Sequence, residues 1–300
     1  MQEPADKENT ASSLPAQILA SKLSSGLYLV ATPIGSARDI TLRALDVLNN
    51  ADVLAAEDTR TLRHLMEIHG IPLRDRRLLA YHDHNADRQR PTVLRALEQG
   101  LSVAYSSDAG TPLVADPGYR LARDAAEEGY RVFAAPGPSA LLAGLTVSGL
   151  PSDRFMFVGF PPSTSSARKR WIKSWADIDA TIIVYESPRR VKDLLKDMCE
   201  DEPNRATVIC RELTKKFEEV IRGTAAELAE NMPEEGLRGE VVVIFGKPEV
   251  RQVSEEDIAA ALRAALADHS VKDASNEVAA RFGLPKREVY ARAVTMSKEG

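Results

Sequence analysis

From Gly26 onward, short apolar runs alternate with amphipathic segments, and this alternation limits the possible folds more than any other feature. GLYLVAT, DVLAAE, LLAYH, SVAYSS and RVFAA have strand length and composition. Between them lie DITLRALDVLNNA, TRTLRHLMEIHG, DRQRPTVLRALEQG and GYRLARDAAEEG, where apolar residues recur at three and four. The last three segments stop at Gly70, Gly100 and Gly129, a frequent way for a helix to end. Strands alternating with helices through short loops predict a mostly parallel sheet covered on both faces.

The texture changes around Ser148-Gly149-Leu150-Pro151. FMFVGF, TIIVYES, ATVICREL, FEEVIRG and EVVVIFG follow one another closely, with PRRVKDLLKDM the one clear helix among the middle ones. RATVICRELTKKFEEVIRG has the length of a hairpin, so this half predicts a mixed sheet. After Pro248 come SEEDIAAALRAALADH, VKDASNEVAARFG and LPKREVYARAVTMSK, three helical segments with helix–turn–helix rhythm at Gly283. That rhythm suits either a packing or dimerising appendage or a nucleic-acid contact. At 300 residues the chain exceeds the usual single domain. The expected division is a polar, disordered tail over 1–25, an α/β domain over 26–148, a second over 149–248, and a helical unit over 249–300.

A net charge of −5 excludes a protein coated in basic charge, so a nucleic-acid partner must be met by a local patch. The two cysteines, Cys199 and Cys210, form neither a disulfide framework nor a metal spacing and fit a reducing cytoplasm. No apolar run approaches the roughly 20 residues that span a bilayer. The opening MQEPADKENTASSLPAQ lacks the basic and apolar regions of a signal peptide.

Four irregular stretches fall at carboxyl ends of predicted strands: TPIGSARD (32–39), SSDAGTPLVADPG (106–118), APGPSA (135–140) and YESPRR (185–190). In open α/β sheets ligands gather at such ends, and one pocket explains all four loops. The chain holds no Walker loop, and TPIGSARD supplies one glycine of the three that a dinucleotide fingerprint needs. Asp108 and Asp116 would repel a pyrophosphate. Carboxylates and backbone carbonyls instead suit a cationic, hydroxyl-bearing nucleoside, for which S-adenosylmethionine is the natural example. Asp116, just before a helix, reads as a turn or cap.

VATPIGSARDITLRAL, AAEDTR, SDAGTPLVADPG, APGPSA, YESPRR and CRELTKKFEEVIRG, in this order between Gly26 and Gly246, resemble the tetrapyrrole methylase superfamily. More closely they resemble its ribosomal RNA branch, the ribosomal RNA small subunit methyltransferase I family. The resemblance implies a class III methyltransferase fold: two α/β domains with S-adenosylmethionine in the cleft between them, plus a small C-terminal helical unit. It also implies methylation of a cytidine ribose 2′-oxygen (cytidine 1402) in 16S rRNA. The partner would be small-subunit rRNA or the 30S subunit, and the enzyme a cytoplasmic homodimer with no metal and no membrane contact. Carried over by motif, Pro33 and Gly35 would close the first loop beneath the cofactor. Ser107 and Asp108 stand where tetrapyrrole relatives have Gly-Asp, the serine being a departure. Ala109, Gly110, Thr111 and Pro112 would line the cofactor with backbone groups. Ser139 would place its hydroxyl and a helix N-terminus at a carboxylate.

Methyl transfer from a sulfonium to oxygen is an in-line displacement in which alignment supplies much of the barrier reduction. A ribose hydroxyl is a poor nucleophile and profits from a nearby base. Glu57, Asp58, Glu186 and Arg189 are the catalytic candidates, with His82, Asp83 and His84 of YHDHN a further group. Each has a structural alternative: Asp58 as a helix cap, Glu186 with Arg189 as an ion pair, YHDHN as a polar strand exit. The two histidines have no evident third partner for a metal. For RNA contact the basic clusters are Arg168-Lys169-Arg170, Arg190, and Arg211 with Lys215-Lys216, and Trp171 offers a stacking face. Solvated surface charge is the alternative for each. Two rival functions stand beside this one. One is methylation of a tetrapyrrole or another substrate within the superfamily. The other is a non-catalytic RNA- or ribosome-binding module, against which the intact SDAGTP and PGPSA stretches argue.

Overall fold

The computed structural model describes residues 21–114, 118–248 and 255–299. The expected turn at Asp116 lies outside the described residues, as does the expected tail before residue 21. Residues 23–25 are tied into the fold: Leu23 packs on the first core, and Ser24 accepts a hydrogen bond from the Tyr28 hydroxyl at 3.0 Å. The chain divides into two compact units, Met1–Lys247 and Pro248–Gly300.

The first half of the larger unit runs β1 (Gly26–Val30), α1 (Leu42–Asn50), β2 (Val53–Ala56), α2 (Thr59–Ile68), β3 (Arg77–Ala80), α3 (Ala86–Glu98), β4 (Ser102–Ser106), α4 (Tyr119–Glu127), β5 (Val132–Ala135) and α5 (Ala140–Ser148). Its five strands are all parallel, in the order β3-β2-β4-β1-β5. Side chains alternate across the strands, so Leu27, Val53 and Val103 face α3 and α4 while Tyr28, Leu54 and Ala104 face α1 and α2. That double burial explains the near-continuous apolar character of these strands. The chain leaves β1 toward β2 and leaves β4 toward β5, in opposite directions. The gap between the ends of these neighbouring strands is therefore the topological switch point.

The second half contains β6 (Phe155–Phe157), α6 (Ser165–Lys173), β7 (Thr181–Glu186), α7 (Val191–Cys199), β8 (Ala206–Arg211), β9 (Glu219–Thr224), α8 (Ala225–Asn231) and β10 (Val241–Phe245). The sheet order is β6-β7-β10-β8-β9, with β6 and β7 parallel and every other pair antiparallel. The sheet is mixed, and β8–β9 is the expected hairpin. Helices α6 to α8 pack on one face, and α5 packs on the other. Gly144 permits that close approach, because a Cβ there would lie 3.2 Å from Ile244 Cδ1. Helix α5, assigned to the first domain by the expected boundary at 148, thus covers the second sheet.

The smaller unit consists of α9 (Glu255–Asp268), α10 (Val271–Phe282) and α11 (Lys286–Glu299) around Ile258, Leu262, Val278, Val289 and Ala293. Ser270 caps α10 by accepting from the Asp273 N–H at 3.2 Å, and Gly283 closes it at φ 64°.

Candidate active site

The loops leaving β1 and β4 are joined at the switch point. Thr32 and Gly110 exchange two backbone hydrogen bonds of 3.0 Å. The Thr32 hydroxyl donates to the Ser107 carbonyl at 3.2 Å, and the buried Ser107 hydroxyl donates to the Gly110 carbonyl at 3.1 Å. Thr111 ties the same loop to the β5 exit by donating to Pro138 O at 2.9 Å. Gly110 has φ +83°, and a Cβ there would sit 3.3 Å from Ile34 Cγ2, so the loop needs glycine for conformation and space.

Above this cradle lies a cavity of about 390 Å³ between the two sheets. Ala109, Gly110, Thr111 and Ser139 line it from the first half; Tyr185, Glu186, Arg190 and the Gly239–Val242 segment line it from the second. Its wall holds one notable ionic pair. The Glu186 side chain is 1% exposed, and its Oε1 accepts from the Ser187 N–H at 2.7 Å. Its Oε2 lies 3.2 Å from Arg190 Nη2 but receives no hydrogen bond. The reason is that Arg190 Nη2 donates to the carbonyls of Pro161 and Pro162, at 2.8 Å each. Arg190 Nε is buried without an acceptor. Burial pushes the Glu186 carboxyl up from the usual range, against the Ser187 N–H and the Arg190 charge. The cavity wall thus buries one acceptor and one donor that have no hydrogen-bond partner.

Six of the expected site residues line this cavity: Ala109, Gly110, Thr111, Ser139, Glu186 and Arg190. Others stand behind it. Ser107 holds the loop from beneath. Gly35 packs on the second half, where a Cβ would meet Leu213 O at 2.9 Å, and the neighbouring Ser36 N–H donates to Thr214 Oγ1 at 3.1 Å. Pro33 and Pro112 shape the two loops without lining the cavity. Asp108 faces the AAEDTR turn: its Oδ1 accepts from Asp58 N at 2.8 Å, and its own N–H points to Glu57 Oε2 at 3.4 Å. Asp58 caps α2 and pairs with Arg60 at 2.6 Å, and those hydrogen bonds lower its pKa to about 2. In YHDHN, Asn85 shapes the strand exit, accepting from His82 N at 2.9 Å and donating to Ala80 O at 3.0 Å.

The basic clusters need correction. Arg168 is buried and ion-paired to Asp197 at 2.7 Å, with 4% and 9% of the side chains exposed, so it braces α6 on α7 and offers nothing to RNA. Trp171 lies half-buried, edge-on to Trp175 at 5.3 Å, and is not a free stacking face. Lys169 pairs with Glu200 at 2.6 Å, Arg211 with Glu219 at 3.1 Å, and Lys215 with Glu212 at 2.9 Å and Glu240 at 3.1 Å. Lys216 lies over the exposed Phe217 ring at 5.4 Å. Arg170 and Arg189 are exposed. The ion pair of Glu186 is with Arg190, one residue further than the expected Arg189.

Sequence reasoning missed Ile34, Phe160, Leu213 and the Gly239–Val242 segment of the cavity wall. The last has a clear cause. Strand β10 runs antiparallel to β7 and β8, and its register sets Val241 against Glu186 and Arg211. The start of β10 therefore lies beside the carboxyl ends of its neighbours. Looking only for loops at carboxyl ends passes over it.

A parallel five-stranded sheet with its switch point opening onto a second, mixed sheet defines the class to which the chain is similar. The family model for Tetrapyrrole (Corrin/Porphyrin) Methylases matches residues 26–229, and one for the RsmI C-terminal HTH domain matches residues 252–297. Solved structures agree on the fold. A diphthine synthase superposes with TM-score 0.58 at 17% identity, covering 73% of this chain and 89% of its own. A uroporphyrin-III C-methyltransferase from Thermus thermophilus, complexed with S-adenosyl homocysteine, gives 0.53 at 18% identity, covering 74% and 97%. Sequence relatives are much nearer. Ribosomal RNA small subunit methyltransferase I of Mesorhizobium japonicum is 45% identical over 282 residues, 93% of this chain and 95% of that protein. The Escherichia coli O157:H7 protein of the same name is 41% identical over 275 residues, 89% and 94% respectively. The chain belongs to the ribosomal RNA small subunit methyltransferase I family and is a methyltransferase.

Proposed function

We propose that the chain methylates the ribose 2′-oxygen of a cytidine (cytidine 1402) in 16S rRNA, free or in the 30S subunit, using S-adenosylmethionine. The observation that carries this reading is the cavity at the switch point, with its backbone cradle and the Glu186 and Arg190 side chains in its wall. These groups fit the cofactor's chemistry: a nucleoside with ribose hydroxyls and a charged amino-acid end needs close backbone and a few polar partners. Ala109, Gly110 and Thr111 would hold it with main chain, Ser139 at the α5 N-terminus would serve its carboxylate, and Pro33, Gly35, Ser107, Asp108 and Pro112 would keep the cradle in place. When bound, it supplies the methyl group on a positively charged sulfur.

The protein's task is then alignment and removal of one proton from the ribose hydroxyl. Asp58 is a poor acceptor, being a helix cap with a pKa near 2. Glu57 and Glu186 remain as acceptors, and exposed Arg170, Arg189 and Lys216 as RNA contacts. A cytoplasmic homodimer is part of the same reading. Calorimetry with S-adenosylmethionine tests it. The wild type binds, and Gly110→Ala binds roughly 5- to 30-fold more weakly, because a side chain at positive φ costs about 1–2 kcal/mol and tightens the cradle against Ile34. Wild-type protein that takes up no S-adenosylmethionine would sink the reading.

A further inference from the structure

Two residues of one short loop hold a backbone conformation that side chains disfavour: Glu212 has φ 52° and Thr214 φ 63°. They flank Leu213, which lines the cavity. For a β-branched residue such as threonine this conformation is an outlier, and it persists only where the surroundings enforce it. Three sets of contacts do so here. The Glu212 N–H donates to Glu240 O at 3.0 Å, and Glu212 Oε1 accepts from Glu240 N at 2.9 Å, which fastens the loop to the entrance of β10. The Lys215 ammonium lies between two carboxylates, 2.9 Å from Glu212 Oε1 and 3.1 Å from Glu240 Oε2. The Thr214 N–H donates to Glu218 Oε2 at 2.5 Å and closes the loop on itself.

What the loop holds is the exit of β1. Thr214 Oγ1 accepts from the Ser36 N–H at 3.1 Å. A Cβ on Gly35 would meet Lys215 Cγ at 2.5 Å, Thr214 Oγ1 at 2.6 Å and Leu213 O at 2.9 Å, so three consecutive residues form the seat of Gly35. Ile34, just before it, lines the cavity, and Thr32 carries the same loop to Gly110 of the cradle. The loop after β8 therefore sets where the cradle of the first half stands against the wall of the second. We propose that Thr214 and Lys215 are positioning residues for methyl transfer. The Thr214 hydroxyl seats the loop over residues 32–36, and the Lys215 ammonium, between Glu212 and Glu240, keeps the threonine in its strained conformation. The proposal rests on the methyltransferase reading above and gives Lys215 a role other than RNA contact. Neither side chain is part of the cavity wall. Each acts through the β1 exit, and a misplacement of about 1 Å at a reacting centre costs roughly 100-fold in rate.

Calorimetry with S-adenosylhomocysteine and steady-state methylation of small ribosomal subunits test this, on variants first shown to be folded by their unfolding transitions. Thr214→Val keeps the shape and removes the acceptor. It is expected to bind S-adenosylhomocysteine roughly three- to tenfold more weakly, the size of one lost hydrogen bond. Its kcat is expected to fall at least ~10-fold, with KM for subunits unchanged. Thr214→Ser keeps the hydroxyl and restores both values. Thr214→Gly separates placement from stability. Glycine adopts φ 63° without strain, so this variant unfolds at or above the wild-type temperature yet binds as weakly as Thr214→Val. Lys215→Met keeps the aliphatic stem against Gly35 but leaves the two glutamates facing each other, and its kcat falls without a rise in KM for subunits. The proposal is overturned if Thr214→Val and Thr214→Gly keep wild-type affinity and kcat. It is equally overturned if the loss in Lys215→Met falls wholly on KM for subunits, the signature of an RNA contact. Wild-type protein that neither binds S-adenosylhomocysteine nor methylates subunits overturns the methyltransferase reading and this proposal with it.

Discussion

At the scale of single residues, two carboxylates from the two halves of the larger unit have opposite environments. The Glu186 carboxyl is pushed up by burial, which outweighs the Ser187 N–H and the charges of Arg190 and Arg168. The Asp58 carboxyl is pulled down to about 2 by the hydrogen bond from Arg60 and by backbone N–H groups of α2. The consequences for stability run in opposite senses. A carboxyl with a raised folded pKa binds its proton more tightly in the native state, so wild-type stability falls as pH rises through that raised value. Glutamine carries no such penalty and keeps an oxygen for the Ser187 N–H. Glu186→Gln is therefore expected to unfold at a higher temperature than wild type at pH 7, and the gap is expected to close as pH falls through the raised value toward the normal carboxylate range. Thermal unfolding of both proteins from pH 7 down to pH 4 measures this. A gap that is absent at pH 7, or that does not change with pH, contradicts the buried, charged assignment. Asp58 behaves conversely, its contribution being lost only as pH falls toward about 2. The capping role of Asp58 was legible in AAEDTR, because a cap is a local matter of one residue and the helix after it. The burial of Arg168 was not, because it depends on Asp197 arriving from another helix.

At the scale of elements, α5 shows how one small residue positions the site. Its sequence, ALLAGLTVS, is apolar on nearly every side, and it lies on β10 where Gly144 leaves room for Ile244 and Val242. Its N-cap, Ser139, stands at the cavity, so the packing of its middle fixes the position of its start. Gly144→Val drives a branched side chain into a spot where even a Cβ lies 3.2 Å from Ile244 Cδ1. It is expected to lower unfolding free energy by about 1–3 kcal/mol, as overpacking does. Urea denaturation checks this, and stability within 0.5 kcal/mol of wild type would show that α5 is not seated on β10 as described. The strands and helices of the first half were readable because each buries two faces or one stripe, and those periods are written in the residues. The second half was readable as strands and a hairpin, but not as a register. That is why RGEV at the start of β10 went unseen as cavity wall while YESPRR, at the end of β7, did not.

At the scale of the whole molecule, the charge balance separates two questions that the sequence blends together. Net acidity and scattered basic clusters left RNA contact to be met by local patches, and most of those patches are paired in the folded chain with Glu200, Glu212, Glu219 or Glu240. Charge runs therefore gave little guidance to the site, whereas the loop series gave much, because four loops at strand ends are brought together by topology alone. The family is shown by the relatives; the target atom is the claim that rests on the site. The most direct test incubates wild-type protein with small ribosomal subunits and S-adenosylmethionine labelled in its methyl group, followed by nuclease digestion and mapping of the labelled nucleotide. Label is expected on the ribose 2′-oxygen of one cytidine of the small-subunit rRNA. Label on a base, on a ribosomal protein, or on no component of the subunit would contradict it.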